Sequence, residues 1–436
     1  MSAPKLKVPR GTFDVLGEDA ARRSAIEARA RATLEAAGYE RIETPMFEAT
    51  ELFARGVGQS TDIVRKQMFT LEDQGGRLLT LRPEGTAPVC RAYLEHGMHK
   101  RRQPVKLWYL SSFFRHERAQ AGRYRQFWQL GAEAIGAEDP AVDAELIVLL
   151  ATLLAQLGVS GTRLRLGSLG SLDSRREYRE RLQAHLRANL DSLSEDVRER
   201  IELNPLRAFD SDHPGTRAVM HSAPTLLEHL SPEDAEHFAE VRRLLELAGV
   251  SHELDPTLVR GLDYYTRTVF EFTSDALGAQ SGVGGGGRYD GLIEQLGGPA
   301  TPGIGWAAGI ERIMLAADDA PQPQPGHLGA HAGGHAHAPA PTPLELYIAL
   351  DGPHDTLRAA AFALLTEARS AGLAAQMDLA GRSLKGQLGH AHALGARYVA
   401  IVSGEHAVLK DTQGARQDTL ATNAVVHAVL RAHHAL

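Results

Sequence analysis

The sequence predicts an α+β fold: a large unit built on a mostly antiparallel sheet with a helical insertion, followed by a small α/β C-terminal domain. Three observations carry that expectation. The runs Val105 to Phe114, Phe127 to Ile135 and Thr266 to Thr273 are rich in β-branched and aromatic residues and read as long strands. Between about 171 and 250 the chain is densely charged with few strand signals, which reads as helical. Beyond Pro343, short apolar strands alternate with helical patterns.

The elements follow in order. Glu18 to Ala37 carries helix formers and ends at Gly38, then Tyr39 to Thr44 alternates and stops at Pro45, giving a helix, a cap and a strand. The long strands and the insertion complete a first unit over residues 1–320. Residues 321–343 are almost wholly Pro, Gly, Ala and His, too poor in apolar area to offset the entropy of ordering them, and read as a flexible linker. Residues 344–436 form the second domain. There Leu344 to Leu350, Ala374 to Leu379 and Arg397 to Ser403 read as strands, separated by helices at Asp355 to Ser370 and Ser383 to Leu394, which implies a small parallel or mixed sheet.

Composition bounds the function. The longest apolar stretch, Leu146 to Leu154, falls far short of the roughly 20 residues a membrane helix needs, and Met1 to Arg10 has no apolar core of a signal peptide. Neither membrane insertion nor secretion is expected. Cys90 is the only cysteine, so an intramolecular disulfide is impossible, and a reducing cytoplasm is the expected location. The net charge of -7 argues against coating nucleic acid by bulk attraction. Locally the balance reverses: Lys100 to Gln126 holds eight basic residues against one acid, Glu117. A charge run alone reads as a solvated face, but Trp108, Tyr109, Phe113, Phe114, Tyr124, Phe127 and Trp128 are interleaved with it, which points to a docked polyanion. The linker histidines His327, His331, His335 and His337 lack Cys or carboxylate partners, so no functional metal site is expected there.

Several segments carry chemistry. Leu258 to Phe272 sets Arg260 beside Tyr264 and Tyr265; a guanidinium is a permanent forked charge for carboxylate or phosphate, and a phenol both donates and accepts. Phe114 to Gln129, followed by Glu133, reads as two strands joined by a loop. Alternation sends Phe127, Gln129 and Glu133 to one face, while the loop carries Arg118 and Arg123 outward. The remaining pieces are Arg82 to Thr86, the glycine run Ser281 to Asp290, and Gly303 to Arg312, which opens a helix with Arg312 on its first turns. The glycine run allows a tight turn and close backbone approach to a ligand, and matches neither a P-loop nor a dinucleotide fingerprint.

Collectively these segments resemble the catalytic core of class II aminoacyl-tRNA synthetases, and within that class the histidyl-tRNA synthetase family. Phe114 to Glu117 is similar to motif 2, Gly303 to Arg312 to motif 3, and the helix and strand ending at Pro45 to motif 1. The Arg260 run and the glycine run resemble the two histidine-specific signatures, and residues 344–436 resemble the family's anticodon-binding module. The resemblance implies a two-step reaction: the carboxylate of L-histidine attacks the α-phosphate of ATP, and the 3'-terminal ribose of the histidine tRNA then takes the aminoacyl group. It implies that Arg115 and Arg260 clamp the α-phosphate and also approach the histidine carboxylate, that Arg123 and Arg312 hold the γ-phosphate, and that Mg2+ is held mainly through ATP phosphates. The adenine would lie between Phe127 and Arg312 with Glu117 near its amino group. The histidine ring would meet Glu133 and Tyr265, with Tyr264 shaping the wall, and the ammonium would meet Glu84, Thr86 and Gln129 beside Gly85. Arg118 and Gln120 match tRNA acceptor contacts, and motif 1 implies a homodimer. A non-catalytic relative, such as the synthetase-like regulatory subunit of ATP phosphoribosyltransferase, typically lacks the distal domain and active-site residues that this chain retains in Arg115, Arg260 and Arg312.

Overall fold

The computed structural model describes residues 6–58, 61–117, 122–258, 262–278, 281–317, 344–414 and 417–434. Its centre is an eight-stranded sheet in the order Glu40–Arg41, Val105–Phe114, Gln126–Ile135, Gly303–Gly309, Gly282–Arg288, Thr266–Ser274, Thr162–Ser168, Glu253–Leu254. The inner pairs are antiparallel, and only the two short edge strands run parallel to their neighbours.

Period-two alternation gives each long strand two working faces. Trp108, Leu130, Ala132 and Ala134 point to the back, into one core with Ile26, Ala30 and Leu34 of the Gly17–Ala36 helix, Leu146, Leu149 and Leu153 of Pro140–Gln156, and Phe238 and Val241 of Pro232–Leu247. Leu107, Tyr109 and Phe113 point to the front, into a second core with Tyr264, Tyr265 and Tyr289. Helix starts follow local chemistry. Asp139 caps Pro140–Gln156 by accepting from Ala141 N, and Pro140 fills the first turn, where no N–H is needed.

The 171–250 stretch is helical, with Leu172–Ala188, Glu195–Arg200, Pro214–His221 and Pro232–Leu247. The last of these packs against the back of the large sheet, so the stretch is not segregated from the main core. Residues 344–434 build a separate five-stranded sheet, with Ala375–Met377, Leu346–Leu350 and Tyr398–Val402 parallel and the hairpin His406–Asp411, Gln417–Ala421 added antiparallel. The linker expectation, residues 321–343, falls on residues outside those described. Among the described residues, no helix is long and apolar enough to cross a membrane.

Four expectations need correction. Tyr39 to Thr44 is not a six-residue strand: only Glu40 and Arg41 pair, at the sheet edge, before the chain leaves for a separate three-stranded sheet of Phe47–Ala49, Leu78–Leu81 and Phe69–Glu72. The glycine run is not a turn but a central strand, and its glycines serve strand-to-strand approach: a Cβ at Gly286 would lie 1.9 Å from Gly305 O. Gly303–Gly309 is also a strand, and the helix with Arg312 begins only at Ile310. Finally, Lys106 does not belong to an open basic surface. Its Nζ is buried 2.9 Å from Glu145, whose other partner is Arg369 at 2.7 Å, on the C-terminal helix His354–Ser370.

That last cluster joins the two sheets. Arg358, near the other end of the same helix, meets Asp139 at 3.1 Å and Glu240 at 3.7 Å, while Arg102 donates to Gly389 O at 3.0 Å. Burial alone would raise the Glu145 carboxyl, but Lys106 and Arg369 hold it below its ordinary range, so it is charged. Breaking a buried ion cluster from one side leaves uncompensated charge. Glu145→Ala is therefore expected to lose about 3–5 kcal/mol in urea unfolding followed by circular dichroism, whereas a loss under about 1 kcal/mol would show that the cluster is not a clasp.

Candidate functional site

The site forms on the front of the sheet, from the carboxyl end of Val105–Phe114 across to the helix that follows Gly303–Gly309. A cavity of about 210 Å3 is lined by Arg115, Glu117, Arg123, Phe127, Gln129, Glu271 and Arg312, over a floor that includes Gly282, Gly284 and Gly309. Residues from four segments of the chain thus share one concave surface. Arg115 is the first residue past its strand; its Nε donates to Pro83 O at 2.8 Å and its guanidinium lies 5.3 Å from the Phe127 ring centroid. Burial lowers its pKa, offset by Glu117 and Glu84, yet an arginine remains a cation. Glu117 sits between Arg115 at 3.9 Å and the half-exposed Arg123 at 3.5 Å. Arg312 likewise has its pKa pulled down by burial, then by the neighbouring Arg123. The neighbouring Glu311 faces inward, accepting from Trp128 N at 3.0 Å and pairing with Arg23.

Beside this cavity lies a cluster of buried polar side chains. Glu84 precedes the helix Thr86–Glu95 and accepts from the N–H of Thr86 at 2.7 Å and of Ala87 at 3.0 Å, which fills two of the helix's orphan donors and puts the negative charge at its positive end. Tyr264 donates to the same carboxylate at 3.3 Å. Burial raises the Glu84 pKa, and the two N–H bonds and Arg115 restrain the rise. Thr86 Oγ1 donates to Glu133 at 2.8 Å, linking the two acids. Glu133 is wholly buried, and burial pushes it up to about 8 against the hydroxyls that donate to it. Its packing requires Gly305 opposite, since a Cβ there would lie 1.6 Å from Glu133 Oε2. Tyr264 and Tyr265 stack edge to face at 4.8 Å in the wall.

The structure therefore brings together Glu84, Gly85, Thr86, Arg115, Glu117, Arg123, Phe127, Gln129, Glu133, Tyr264, Tyr265 and Arg312 from the sequence-based set. Arg118, Gln120 and Arg260 lie outside the described residues, although Leu258 and Leu262, on either side of Arg260, belong to the front core. Gln129 Oε1 is a buried acceptor with no partner among the described residues, an atom suited to a ligand N–H. The guanidinium over Phe127 belongs to Arg115, and Arg312 reaches the same cavity from the facing helix.

Sequence reasoning missed three residues. Tyr109 and Tyr289 donate to Glu133, and Glu271 supplies a carboxylate to the cavity wall, 3.3 Å from Arg165. Strand parity with Phe113 was the available signal for Tyr109, and position within the glycine run for Tyr289. Arg288 in that run is structural: it is buried against Asp143, which Arg288 and His237 hold at about 2 despite burial. No group of three or more potential metal-ligating side chains occurs among the described residues. The cavity acids Glu117 and Glu271 suit a hard cation that keeps most of its ligands from phosphate and water.

Chemically, cations flanking an aromatic ring fit a nucleoside polyphosphate, and a buried pair of acids beside hydroxyls fits a small ligand with several N–H donors. Comparison with known proteins agrees. The family model described as Histidyl-tRNA synthetase matches residues 11–313. The chain is 44% identical over 423 residues to the Histidine--tRNA ligase of Desulforamulus reducens, covering 96% of this chain and 97% of that one. It is 46% identical over 432 residues to that of Streptomyces coelicolor, covering 98% and 97%. Among solved structures, apo S. aureus histidyl-tRNA synthetase superposes with a TM-score of 0.60 at 33% identity, covering 98% of this chain and all of the other.

The Glu133–Gly305 contact generates a direct test. Gly305→Ala forces the carboxylate or the strand to shift and is expected to destabilise the protein by about 1–3 kcal/mol, read as a lower Tm. A Tm equal to the parent's would mean that the carboxylate relocates freely.

Proposed function

The chain belongs to the histidyl-tRNA synthetase family, and on that premise we propose that it is a histidine–tRNA ligase. It activates L-histidine with ATP to histidyl-adenylate and pyrophosphate, then transfers histidine to the 3' end of its tRNA. The observation that carries this reading is the convergence of Arg115, Phe127, Gln129 and Arg312 on one cavity next to the buried Glu84–Thr86–Glu133 cluster.

In the first step the histidine carboxylate oxygen attacks the α-phosphorus of ATP, and the bond to the bridging oxygen of pyrophosphate breaks. The protein has little covalent chemistry to do, so rate comes from positioning and from charge placed where the transition state is negative. Arg115 and Arg260 take the α-phosphate and the attacking carboxylate, while Arg123 and Arg312 take the γ-phosphate. Glu271, the carboxylate on the cavity wall, would hold a Mg2+ ion or its waters, and the ion would add positive charge beside the phosphates, while Glu117 lies near the adenine amino group. The adenine ring lies on Phe127, a contact typically worth about 1–3 kcal/mol. In the second step a ribose hydroxyl of the tRNA attacks the acyl carbon and AMP leaves.

Histidine is read by hydrogen bonds at both ends. The ammonium meets Glu84, Gln129 Oε1 and the remaining lone pairs of Thr86, whose hydroxyl proton is already given to Glu133. The ring N–H meets Glu133 and the other ring nitrogen meets Tyr265. Buried groups that must all be matched can reject an analogue lacking those bonds by about 10^4 to 10^5, so no editing site is required.

The histidine tRNA is the nucleic-acid partner, its acceptor end meeting Arg118 and Gln120 and its anticodon the domain at 344–436. We infer a homodimer through the motif 1 helix Gly17–Ala36; support comes from the exposed Met46, Phe47, Leu71 and Leu78 around the small sheet, apolar surface that a second copy would cover. The cytoplasm is the proposed location.

ATP–pyrophosphate exchange against all twenty amino acids tests the reading, with histidine alone expected to support exchange. Arg115→Ala should then reduce the exchange rate by about 10^2 to 10^3, the cost of removing one transition-state donor. Glu133→Ala should raise the histidine requirement far more than the ATP requirement. Equal effects on both substrates would place the ring elsewhere.

A further inference from the structure

The deepest acid of the site is held in an unusual way. Among the described residues no cation is paired with Glu133; three hydroxyls converge on it instead. Thr86 and Tyr109 donate to Oε1 at 2.8 and 3.3 Å, and Tyr289 donates to Oε2 at 2.8 Å. Glycines clear the room for this cluster. A Cβ at Gly85 or Gly131 would lie 2.5 or 2.3 Å from Tyr109 Cζ, and one at Gly303 would lie 2.3 Å from the Tyr289 ring. The two phenols are therefore seated in slots that only glycine permits, with their hydroxyls aimed at one carboxylate.

We propose that Tyr109 and Tyr289 are positioning residues for amino-acid selection, aiming Glu133 and holding it in the carboxylate form that accepts the ring N–H of histidine. The inference rests on the assignment of the ring to Glu133 made above. Burial disfavours the charged form of Glu133 and Glu84 adds repulsion, while the Tyr289, Thr86 and Tyr109 hydroxyls act the other way, leaving the group at about 8. The other titratable groups that interact with this carboxylate are Glu84, Tyr264, the Cys90 thiol and Tyr39. The phenols and the thiol have pKa values raised by burial and stay neutral through this range. Below its pKa Glu133 is a carboxylic acid, whose carbonyl oxygen is a weaker acceptor for the ring N–H than the carboxylate, so tight capture of histidine releases the proton to solvent. Above it, the acceptor is already present. Histidine capture consequently strengthens as pH rises toward and past 8, and removing one hydroxyl moves that rise to higher pH.

The test is Tyr289→Phe in the full chain, with KM for histidine and for ATP measured by pyrophosphate exchange from roughly pH 6.5 to 9. The expected result is a histidine KM raised about tenfold near pH 7, as for loss of a hydrogen bond to a charged group, with kcat falling far less, ATP KM unmoved and the pH rise displaced upward. Tyr109→Phe should do the same to a smaller degree, its contact being longer, and it decides the matter if the thermal transition of Tyr289→Phe shows a folding defect. Histidine KM and pH profiles equal to the parent's in a folded variant would overturn the inference alone. Absence of histidine-dependent exchange in the parent would overturn the functional reading with it.

Discussion

The antiparallel pairing of Val105–Phe114 with Gln126–Ile135 is the constraint on which the rest of the structure depends. Its register sets Tyr109 opposite Gly131 and Leu107 opposite Glu133, with Trp108 and Ala132 facing the other way. Because side chains alternate, a slip of Gln126–Ile135 by one residue would drive Glu133 into the aliphatic back core and bring Ala132 and Ala134 to the front face. The back core therefore does more than stabilise. By burying Trp108, Leu130, Ala132 and Ala134 against three helices, it pins the parity that delivers Phe127, Gln129 and Glu133 to the front.

Buried charge sorts into two kinds. Glu145 is satisfied by Lys106 and Arg369, and Asp143 by Arg288 and His237; these clusters hold carboxylates ionised and join one element to another. Glu84 and Glu133 instead are hydrogen-bonded to N–H groups and hydroxyls, with no ion pair to either among the described residues and only the longer-range pull of Arg115 on Glu84, and both are pushed toward the neutral form. A fold that only needed stability would not keep two such acids a threonine apart. Their cost is understandable if a ligand brings the missing positive charge, and the ammonium of an amino acid is such a charge. The cavity alongside has the opposite character, with Arg115, Arg123 and Arg312 around an aromatic ring. Acidic and basic clusters thus adjoin, an arrangement that fits the proposed reaction between a carboxylate and a phosphate.

The glycines follow from the same crowding. Gly284 and Gly286 let neighbouring strands approach, while Gly85, Gly131, Gly303 and Gly305 make room for Tyr109, Tyr289 and Glu133. In a ligand-binding sheet, glycine marks where a functional side chain from a neighbouring strand must lie.

What the sequence alone determined was what period and composition encode. Alternation fixed the long strands to within a residue and put Phe127, Gln129 and Glu133 on one face, charge density marked the helical stretch, and the spacing of arginines and phenols led to the family. Local signals misled where distant chain intervened. Lys106 lies in a basic run yet is buried against Glu145 and Arg369, partners 39 and 263 positions away in a chain whose folding alone brings them together. The glycine run became a strand because flanking strands supplied the hydrogen bonds that its own propensity does not favour. Tyr109 and Tyr289 acquired their role only when three strands and a helix start closed around one carboxylate. Contacts of that kind depend on position in space, and tertiary packing decides them.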